Sequence, residues 1–375
     1  MTSEMQLRRT PLFHVHVEEG AKIVAFAGWE MPVQYQSIIA EHAAVRGAAG
    51  IFDVSHMGRL RVTGPGALAS VQLAVTSDVS KLEAGQCVYS LLLTEDAGIA
   101  DDLFVYSPSG RDDELTLVVN AVNTDKDLAM IRACMSDAKL ADETPTTAMI
   151  ALQGPKAEAM LAPLTDLDLG SLKLHRFAVG TVAGTEATVS RTGYTGEDGF
   201  EIVTRAEDGP TLWRALRAAG AVSCGLGARD VLRLEAAYPL WGHEIDNDTR
   251  PSDVGAARFC SAEKGDYVGR AAHEAYAAAG PLKCLVGLRM TAKRIAREDA
   301  EVRVSGAAEG RVTSGTYSPV LGCGIALAHV ANPHRKPIRE RRAELAGRAA
   351  VCVTGSVEVP ALFVDLPFYR RGQLH

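Results

Sequence analysis

The 375-residue sequence contains no apolar run of the roughly 18–20 residues that a membrane-crossing helix needs. Its opening stretch, MTSEMQLRRTPL, holds no apolar segment of signal-peptide length, and both absences make the cytoplasm the expected compartment. Seven cysteines, Cys87, Cys134, Cys224, Cys260, Cys284, Cys323 and Cys352, are odd in number, scattered and never spaced C-x-x-C. That excludes a disulfide framework and a zinc ribbon, and leaves buried free thiols as the expected state. Basic residues (39) are outnumbered by acidic ones (46), giving a net charge of −7. A chain of this balance lacks the basic footprint of a nucleic-acid binder. No Walker loop is present, and Gly193, Gly196 and Gly199 do not form G-x-G-x-x-G after a strand, so phosphoryl and hydride transfer have no motif. His56 has no metal-ligand spacing to His42 or His243, and serine-triad signatures are missing; no metal is expected.

What is present is a globular composition, 47% hydrophobic and 23% charged, of a length suited to two or three domains of about 150 residues. Ser37–Gly50 reads as a short helix with Ser37 as N-cap and Gly50 beyond its end. IFDVSHMGRLRVTG follows as an extended run, then GPGALASVQLAV as a helix with proline in its first turn. The phrase recurs in MIALQGPKAEAMLAPL, where an apolar run again ends in Gly-Pro before an alanine-rich helix. Two copies, at Gly64-Pro65 and Gly154-Pro155, indicate a duplicated α+β unit.

Between the copies, residues 88–93, 99–106 and 115–119 predict an antiparallel meander, broken at residues 95–98 and 107–113. Further strands are expected at 185–189 and 201–204, and helices at 211–219 and 228–237. From about residue 283 the texture turns β-rich, with five apolar segments at barrel or sandwich spacing. The boundary falls near AAAGP, residues 277–281.

The polar residues that interrupt these runs are the candidates for chemistry. Asp101 and Asp102 are adjacent on a predicted strand, so their side chains face opposite ways, one for a cleft and one for structure; the alternative is a pair of turn acids capped by backbone N–H groups. A carboxylate in a cleft can orient an amine, share its proton or stabilise a growing positive charge. Asn120 at a strand end offers two donors and an acceptor to a heterocycle edge, or is simply a strand-end turn amide. Tyr89, Tyr106, Tyr194 and Tyr238 can stack on a ring or donate a hydroxyl, or simply pack in the core. Arg229 with Glu201 is either a structural ion pair or a pair of ligand-binding groups. The basic run Arg335, Lys336, Arg339, Arg341 and Arg342 reads first as a solvated face, and second as a site for an acidic partner.

In order along nearly the whole chain, the phrases TPLFHVHVEEGAKIVAFAGWEMPVQY, GIFDVSHMG, ADDLFVY, VVNAVNTDKD, SRTGYTGEDGFEI, LGARDVLRLEAAYPLWGHEID, KGDYVGR and VTSGTYSPVLGCGIALAHV resemble the T-protein of the glycine cleavage system, a tetrahydrofolate-dependent aminomethyltransferase family. The resemblance implies an α+β fold of three lobes arranged like a cloverleaf around a central folate channel. Residues 1–280 would form a folate-binding region of two interleaved α+β lobes, and residues 281–375 a small C-terminal β-barrel. It implies Asp102 as the functional acid, and Tyr89, Phe104, Tyr106, Val118, Asn120, Tyr194, Glu201, Arg229 and Tyr238 as the folate-site lining. Arg370 and Arg371 are expected near its anionic tail. The implied co-substrate is tetrahydrofolate, without a metal, and the implied partner is lipoylated H-protein, which delivers an S-aminomethyl group for transfer with release of ammonia.

The chain departs from the family pattern at Thr94-Glu95-Asp96-Ala97-Gly98, at RPSDVGAARFCSAE after GHEIDNDT, and at KRIAREDAEV. These departures keep a second reading open, a folate-dependent demethylase of a small methylated compound. A third, a non-enzymatic folate-binding iron–sulfur assembly factor, is disfavoured because Asp266 stands where that branch carries a cysteine.

Overall fold

The computed structural model describes residues 6–110 and 113–372. The chain divides into two compact units. One comprises Met1–Ser70, Ser80–Val88 and Phe104–Asp230; the other comprises Val71–Val79, Tyr89–Leu103 and Val231–His375.

The N-terminal segment forms a three-stranded sheet of β1 (Arg8–Arg9), β2 (Lys22–Phe26) and β3 (Trp29–Gln34), with α1 (Phe13–Glu18) between its first two strands. Helix α2 (Ile38–Gly47) starts where the sequence places it. Ser37 is extended (φ −151, ψ 150), and its hydroxyl accepts from the Ala40 amide at 3.2 Å, capping one of the amides a helix start leaves unpaired. The run IFDVSHMGRLRVTG, expected to be continuous, is instead two strands, β4 (Gly50–Asp53) and β5 (Gly58–Thr63). No glycine or proline marks the intervening turn. It is made by side chains, since the Ser55 amide donates to Asp53 and Arg59 grips the Ser55 and Met57 carbonyls from inside.

From β5 onward the expected duplication is explicit. The first copy runs β5, α3 (Ala67–Ala74), β6 (Gln86–Leu93), β7 (Ile99–Ser107), β8 (Glu114–Val119), α4 (Thr124–Ala133) and β9 (Lys139–Asp142). The second runs β10 (Thr147–Gln153), α5 (Ala157–Leu161), β11 (Phe177–Val182), β12 (Thr185–Ser190), β13 (Gly199–Arg205), α6 (Gly209–Ala218) and β14 (Val222–Ser223). The sheets are ordered β6-β7-β8-β5-β9 and β11-β12-β13-β10-β4-β14, the same path except that β4 is inserted in the second. Even the corners match. Gly64 (φ +109) and Gly154 (φ +138) occupy backbone regions open to glycine. Each donates its amide to the residue before the fourth strand or its neighbour, Asp113 or Asp198, and accepts from the alanine that opens the helix, Ala67 or Ala157. Of the break expected at 107–113, residues 111 and 112 lie outside the described residues.

The second copy's core is built by α6, whose Leu212, Trp213 and Leu216 are fully buried at helical spacing against Ile150, Leu152, Phe200 and Ile202. Past α7 (Leu226–Glu235), α8 (Pro251–Val254) and α9 (Arg270–Ala279), the chain closes a six-stranded barrel. Its order is β15 (Lys283–Met290), β18 (Cys323–Ala331), β17 (Ala307–Ser318), β16 (Glu301–Val304), β19 (Ala349–Thr354) and β20 (Val357–Val364). Cys284, Val286, Leu288 and Met290 point into it at the period of two that a barrel strand requires. Strand β16 and helix α10 (Ile338–Leu345) were not legible in the sequence, being short and highly charged. The fold is thus α+β with a closed C-terminal barrel. Among the described residues no helix is long and apolar enough to cross a membrane.

Candidate functional site

Alternation along β7 decides which acid is available. Asp101, Leu103 and Val105 are at most 2% exposed, whereas Asp102 and Phe104 are half-buried. The two neighbouring carboxylates therefore face opposite sides, as strand geometry requires. On β6, the Tyr89 hydroxyl donates to Asp102 Oδ2 at 2.9 Å. The loop before β7 is firmly tied despite its departure from the family pattern. Asp96 pairs with Arg250 at 2.8 Å, and the Gly98 amide donates to Thr94 Oγ1 at 2.9 Å. Phe104 lies directly across from Val118, and Tyr106 across from Thr116. Asn120 closes β8 with φ −65 and ψ 138 and accepts from the Asn123 amide at 3.0 Å.

A second set of candidates meets in the unit that contains Phe104–Asp230. Glu201 on β13 is 7% exposed and accepts from Thr192 Oγ1 at 2.6 Å. The Arg229 guanidinium lies 5.0 Å from the centre of the Tyr194 ring, a cation–π stack. Its Nη1 is buried and, among the described residues, has no hydrogen-bond partner. Burial lowers the pKa of Arg229, and the charges of Glu201 and Tyr194 oppose the shift. Tyr106 packs edge-on against Phe177 at 5.2 Å and is 6% exposed; burial first, with Cys87 and Glu201, holds its hydroxyl well above its ordinary pKa.

The loop carrying Tyr194 is rigid for identifiable reasons. Arg46 donates at 2.8 Å to both the Thr195 carbonyl and Glu197, and the Thr195 hydroxyl donates to Gln153 at 2.9 Å. Gly193 is needed because a Cβ there would collide with the Gln153 side chain. Tyr238, in the other unit, is 39% exposed and follows Ala237, whose φ is +57. Arg370 and Arg371 are exposed near the C-terminal end.

His56, which the sequence singled out only by residue type, sits in the turn that Arg59 grips. It is 6% exposed, and its Nδ1 has no hydrogen-bond partner among the described residues. Burial holds its pKa down to about 4; Asp53 opposes the shift, while Arg229 and Arg59 add to it. The ring is therefore neutral near pH 7. Phe259 was not read as a site residue at all, although its ring centre is 4.5 Å from that of Tyr89. Its neighbourhood offered no periodic signal, only an irregular, proline-led segment.

The basic run makes contacts within its own chain. Arg341 pairs with Glu309 and donates to the Ala331 carbonyl, Arg342 donates to the Leu285 carbonyl at 2.7 Å, Lys336 pairs with Glu344, and Arg335 donates to the Gly280 carbonyl. Four of the five cations thus bond the chain's own carboxylates or carbonyls. Among the described residues no three His, Cys, Asp or Glu side chains converge as a metal site, and all seven cysteines are free.

One unit thus holds a half-buried carboxylate bonded by a phenol, and the other a stacked guanidinium whose Nη1 has no hydrogen-bond partner among the described residues. Comparison with known proteins supplies the class. Residues 12–264 match the GCVT N-terminal domain, and residues 283–370 match the glycine cleavage T-protein C-terminal barrel domain. An aminomethyltransferase of Moorella thermoacetica is 47% identical over 371 residues, covering 97% of this chain and 98% of that protein. One from Geobacillus kaustophilus is 45% identical over 374 residues, covering 98% and 100%. The crystal structure of glycine cleavage system aminomethyltransferase T from Bartonella henselae superposes with a TM-score of 0.88 at 32% identity, covering 97% of this chain and 99% of that one. The chain belongs to the glycine cleavage T-protein family.

Proposed function

We propose that the chain is the aminomethyltransferase of the glycine cleavage system. It takes the one-carbon unit from the S-aminomethyl dihydrolipoyl arm of H-protein and passes it to tetrahydrofolate, releasing ammonia and forming 5,10-methylenetetrahydrofolate. Full-length likeness to proteins named aminomethyltransferase supports this reading over the demethylase and the assembly factor. The observation that carries it is the Tyr89–Asp102 pair, a half-buried carboxylate oriented by a phenol.

The residues present fit a reduced folate. The buried Arg229 Nη1 needs an acceptor, Tyr194 and Arg229 form a stacked platform, and Glu201 is an acceptor anchored by Thr192. Tetrahydrofolate supplies the nucleophilic nitrogen that accepts the one-carbon unit. Asp102 aligns the reacting amine and stabilises the positive charge that grows as the donor bond breaks, an electrostatic role that is strongest where water is scarce. The Tyr89 hydroxyl fixes Oδ2 of the carboxylate and so sets its orientation. In this reading Phe104, Tyr106, Val118, Asn120, Tyr194, Glu201, Arg229 and Tyr238 join Tyr89 in binding, residues 1–280 form the folate-binding region, and residues 281–375 form the barrel domain. The site is expected to work without a metal, in the cytoplasm.

The test is direct. Purified protein, tetrahydrofolate and aminomethyl-loaded H-protein should together yield ammonia and methylenetetrahydrofolate, and omission of any one should stop both. Turnover of free methylated amines or thioethers in place of the loaded H-protein would instead establish the demethylase.

A further inference from the structure

RPSDVGAARFCSAE, one of the segments that depart from the family pattern, meets Tyr89 through Phe259. Phe259 closes a 3-10 turn, Ala257–Phe259, which follows Gly255 in the left-handed region (φ +79). Its ring meets that of Tyr89 edge-to-face at 4.5 Å, with an interplanar angle of 62°. The Arg258 guanidinium lies 4.6 Å from the same ring centre, so the Phe259 ring has a cation as well as an aromatic neighbour.

The backbone beneath this contact is tied from several directions. The Phe259 carbonyl accepts from Thr76 Oγ1 at 2.9 Å and lies 3.0 Å from Ser77 Oγ. Ser77 Oγ also lies 2.9 Å from the Tyr89 carbonyl, so its single proton is shared between the two residues whose rings touch. Lys264, 4% exposed, directs Nζ at the carbonyls of Gln72, Val75 and Ser77, at 2.6, 2.5 and 3.0 Å. Three ammonium protons meet three carbonyls, and the last turn of α3 with the residues after it is thereby fastened to the segment that carries Phe259.

Strand β6 fixes the Tyr89 backbone, and a tyrosine has only two side-chain torsions left to set. Phe259 occupies the space beside the ring, and the hydroxyl at its far end donates to Asp102. We propose that Phe259 is a positioning residue for the reaction, holding the Tyr89 ring so that its hydroxyl keeps the Asp102 carboxylate in its working orientation. This rests on the reading of Asp102 as the reacting acid. A phenol loosened by loss of the neighbouring ring still folds into the same strand, but orients the carboxylate for only part of the time.

The test is a double-mutant cycle with wild type, Phe259→Leu, Tyr89→Phe and the double variant, assayed with tetrahydrofolate and aminomethyl-loaded H-protein. Phe259→Leu should lower kcat about tenfold, the size expected from losing one aromatic pair, with KM for tetrahydrofolate within about twofold. In the Tyr89→Phe background the same change should cost less than about twofold, because the hydroxyl it positions is gone. Phe259→Tyr, which keeps the ring, should restore most of the lost rate. Equal losses in both backgrounds, or a rise in KM alone, would overturn the proposal.

An activity-free readout separates this inference from the reading beneath it. In protein carrying 13Cζ-tyrosine, the Tyr89 resonance should move the same way in Phe259→Leu, Phe259→Met and Asp102→Asn. A Tyr89 resonance unmoved by either Phe259 substitution would overturn the positioning role whether or not the wild type is active. An inactive wild type in which the Tyr89 resonance still moves would sink the transferase reading and leave the contact standing.

Discussion

The two copies of the α+β unit follow one path through space and place their acids in different surroundings. Both run strand, glycine corner, helix, three-stranded meander, helix, strand, and both order the sheet second-third-fourth-first. In the first copy the fifth strand pairs directly with the first, β9 on β5. In the second, β4 lies between them, antiparallel to β10 and parallel to β14. The inserted strand brings Asp53, itself 3% exposed, into a hydrogen-bonded network. Its Oδ2 accepts from Thr10 at 2.6 Å and meets His16 Nε2 at 2.9 Å, while Tyr35 bonds the other His16 nitrogen at 2.8 Å. The first copy instead keeps its half-buried acid, Asp102, on the open face of β7. Topology is shared, and what each face of a strand presents is left to individual residues.

Breaking the inserted network should have the largest effect on stability. Asp53→Ala removes a carboxylate from three donors and strands His16, at an expected cost of about 3–5 kcal/mol in urea unfolding. Burial alone would raise the pKa of Asp53, but the His16 bond and charge outweigh it and bring the value to about 2. An Asp53→Ala protein as stable as wild type would show that the insertion is passive filling.

In the first copy the corresponding cut should spare stability and remove turnover. Asp102→Asn is expected to slow transfer by about 10²–10³-fold, worth about 3–4 kcal/mol, with tetrahydrofolate affinity within about tenfold. Asp101→Asn, on the buried face, should lower the melting temperature and leave kcat of the folded fraction unchanged. The reverse pattern, with Asp101 essential, would mean that the wrong face of β7 has been assigned to the chemistry.

The copies should also differ in acid. His56, in the turn that follows the inserted strand, has a folded pKa of about 4, against about 6.5 when unfolded. Between those values the unfolded chain binds the extra proton, so stability falls as pH falls from 6.5 towards 4, by on the order of 3 kcal/mol. Burial also lowers the pKa values of His175, His273 and His329, so the slope has other contributors. His56→Gln should therefore flatten the pH dependence of unfolding by about one proton without abolishing it. An identical slope would remove His56 from the account.

The smallest difference lies at the two glycine corners. A Cβ at Gly154 would collide with the Ala48 carbonyl and stand 2.7 Å from that of Val45, whereas at Gly64 the nearest atom, the Asp137 carbonyl oxygen, is 3.3 Å away. Both alanine variants pay for the positive φ, but Gly154→Ala should be worse than Gly64→Ala by about 1–2 kcal/mol in unfolding experiments.

Much of this architecture is legible in the chain. Residues 88–93, 99–106 and 115–119 alternate or run apolar between turn residues, and each becomes a strand because a pleated, half-buried surface favours that pattern. Gly-Pro before an alanine-rich stretch marks both corners, and Ser37 caps the helix it precedes. The split of β4 from β5 was hidden, because its turn is made by Arg59 and Asp53 side chains acting across the fold rather than by a local glycine or proline. Asp102 and Asp101 were separable as a pair by strand parity alone, although parity does not say which side is covered.

Local order therefore fixed the elements, their duplication and the β-rich end, since period and turn chemistry act over a few residues. Tertiary structure alone decided which acid stays half-buried, that Arg229 stacks on Tyr194 with an Nη1 that has no hydrogen-bond partner among the described residues, and that Phe259 reaches Tyr89 across 170 residues of chain. Those relations depend on burial and on contacts between segments far apart in sequence, and no local pattern encodes either.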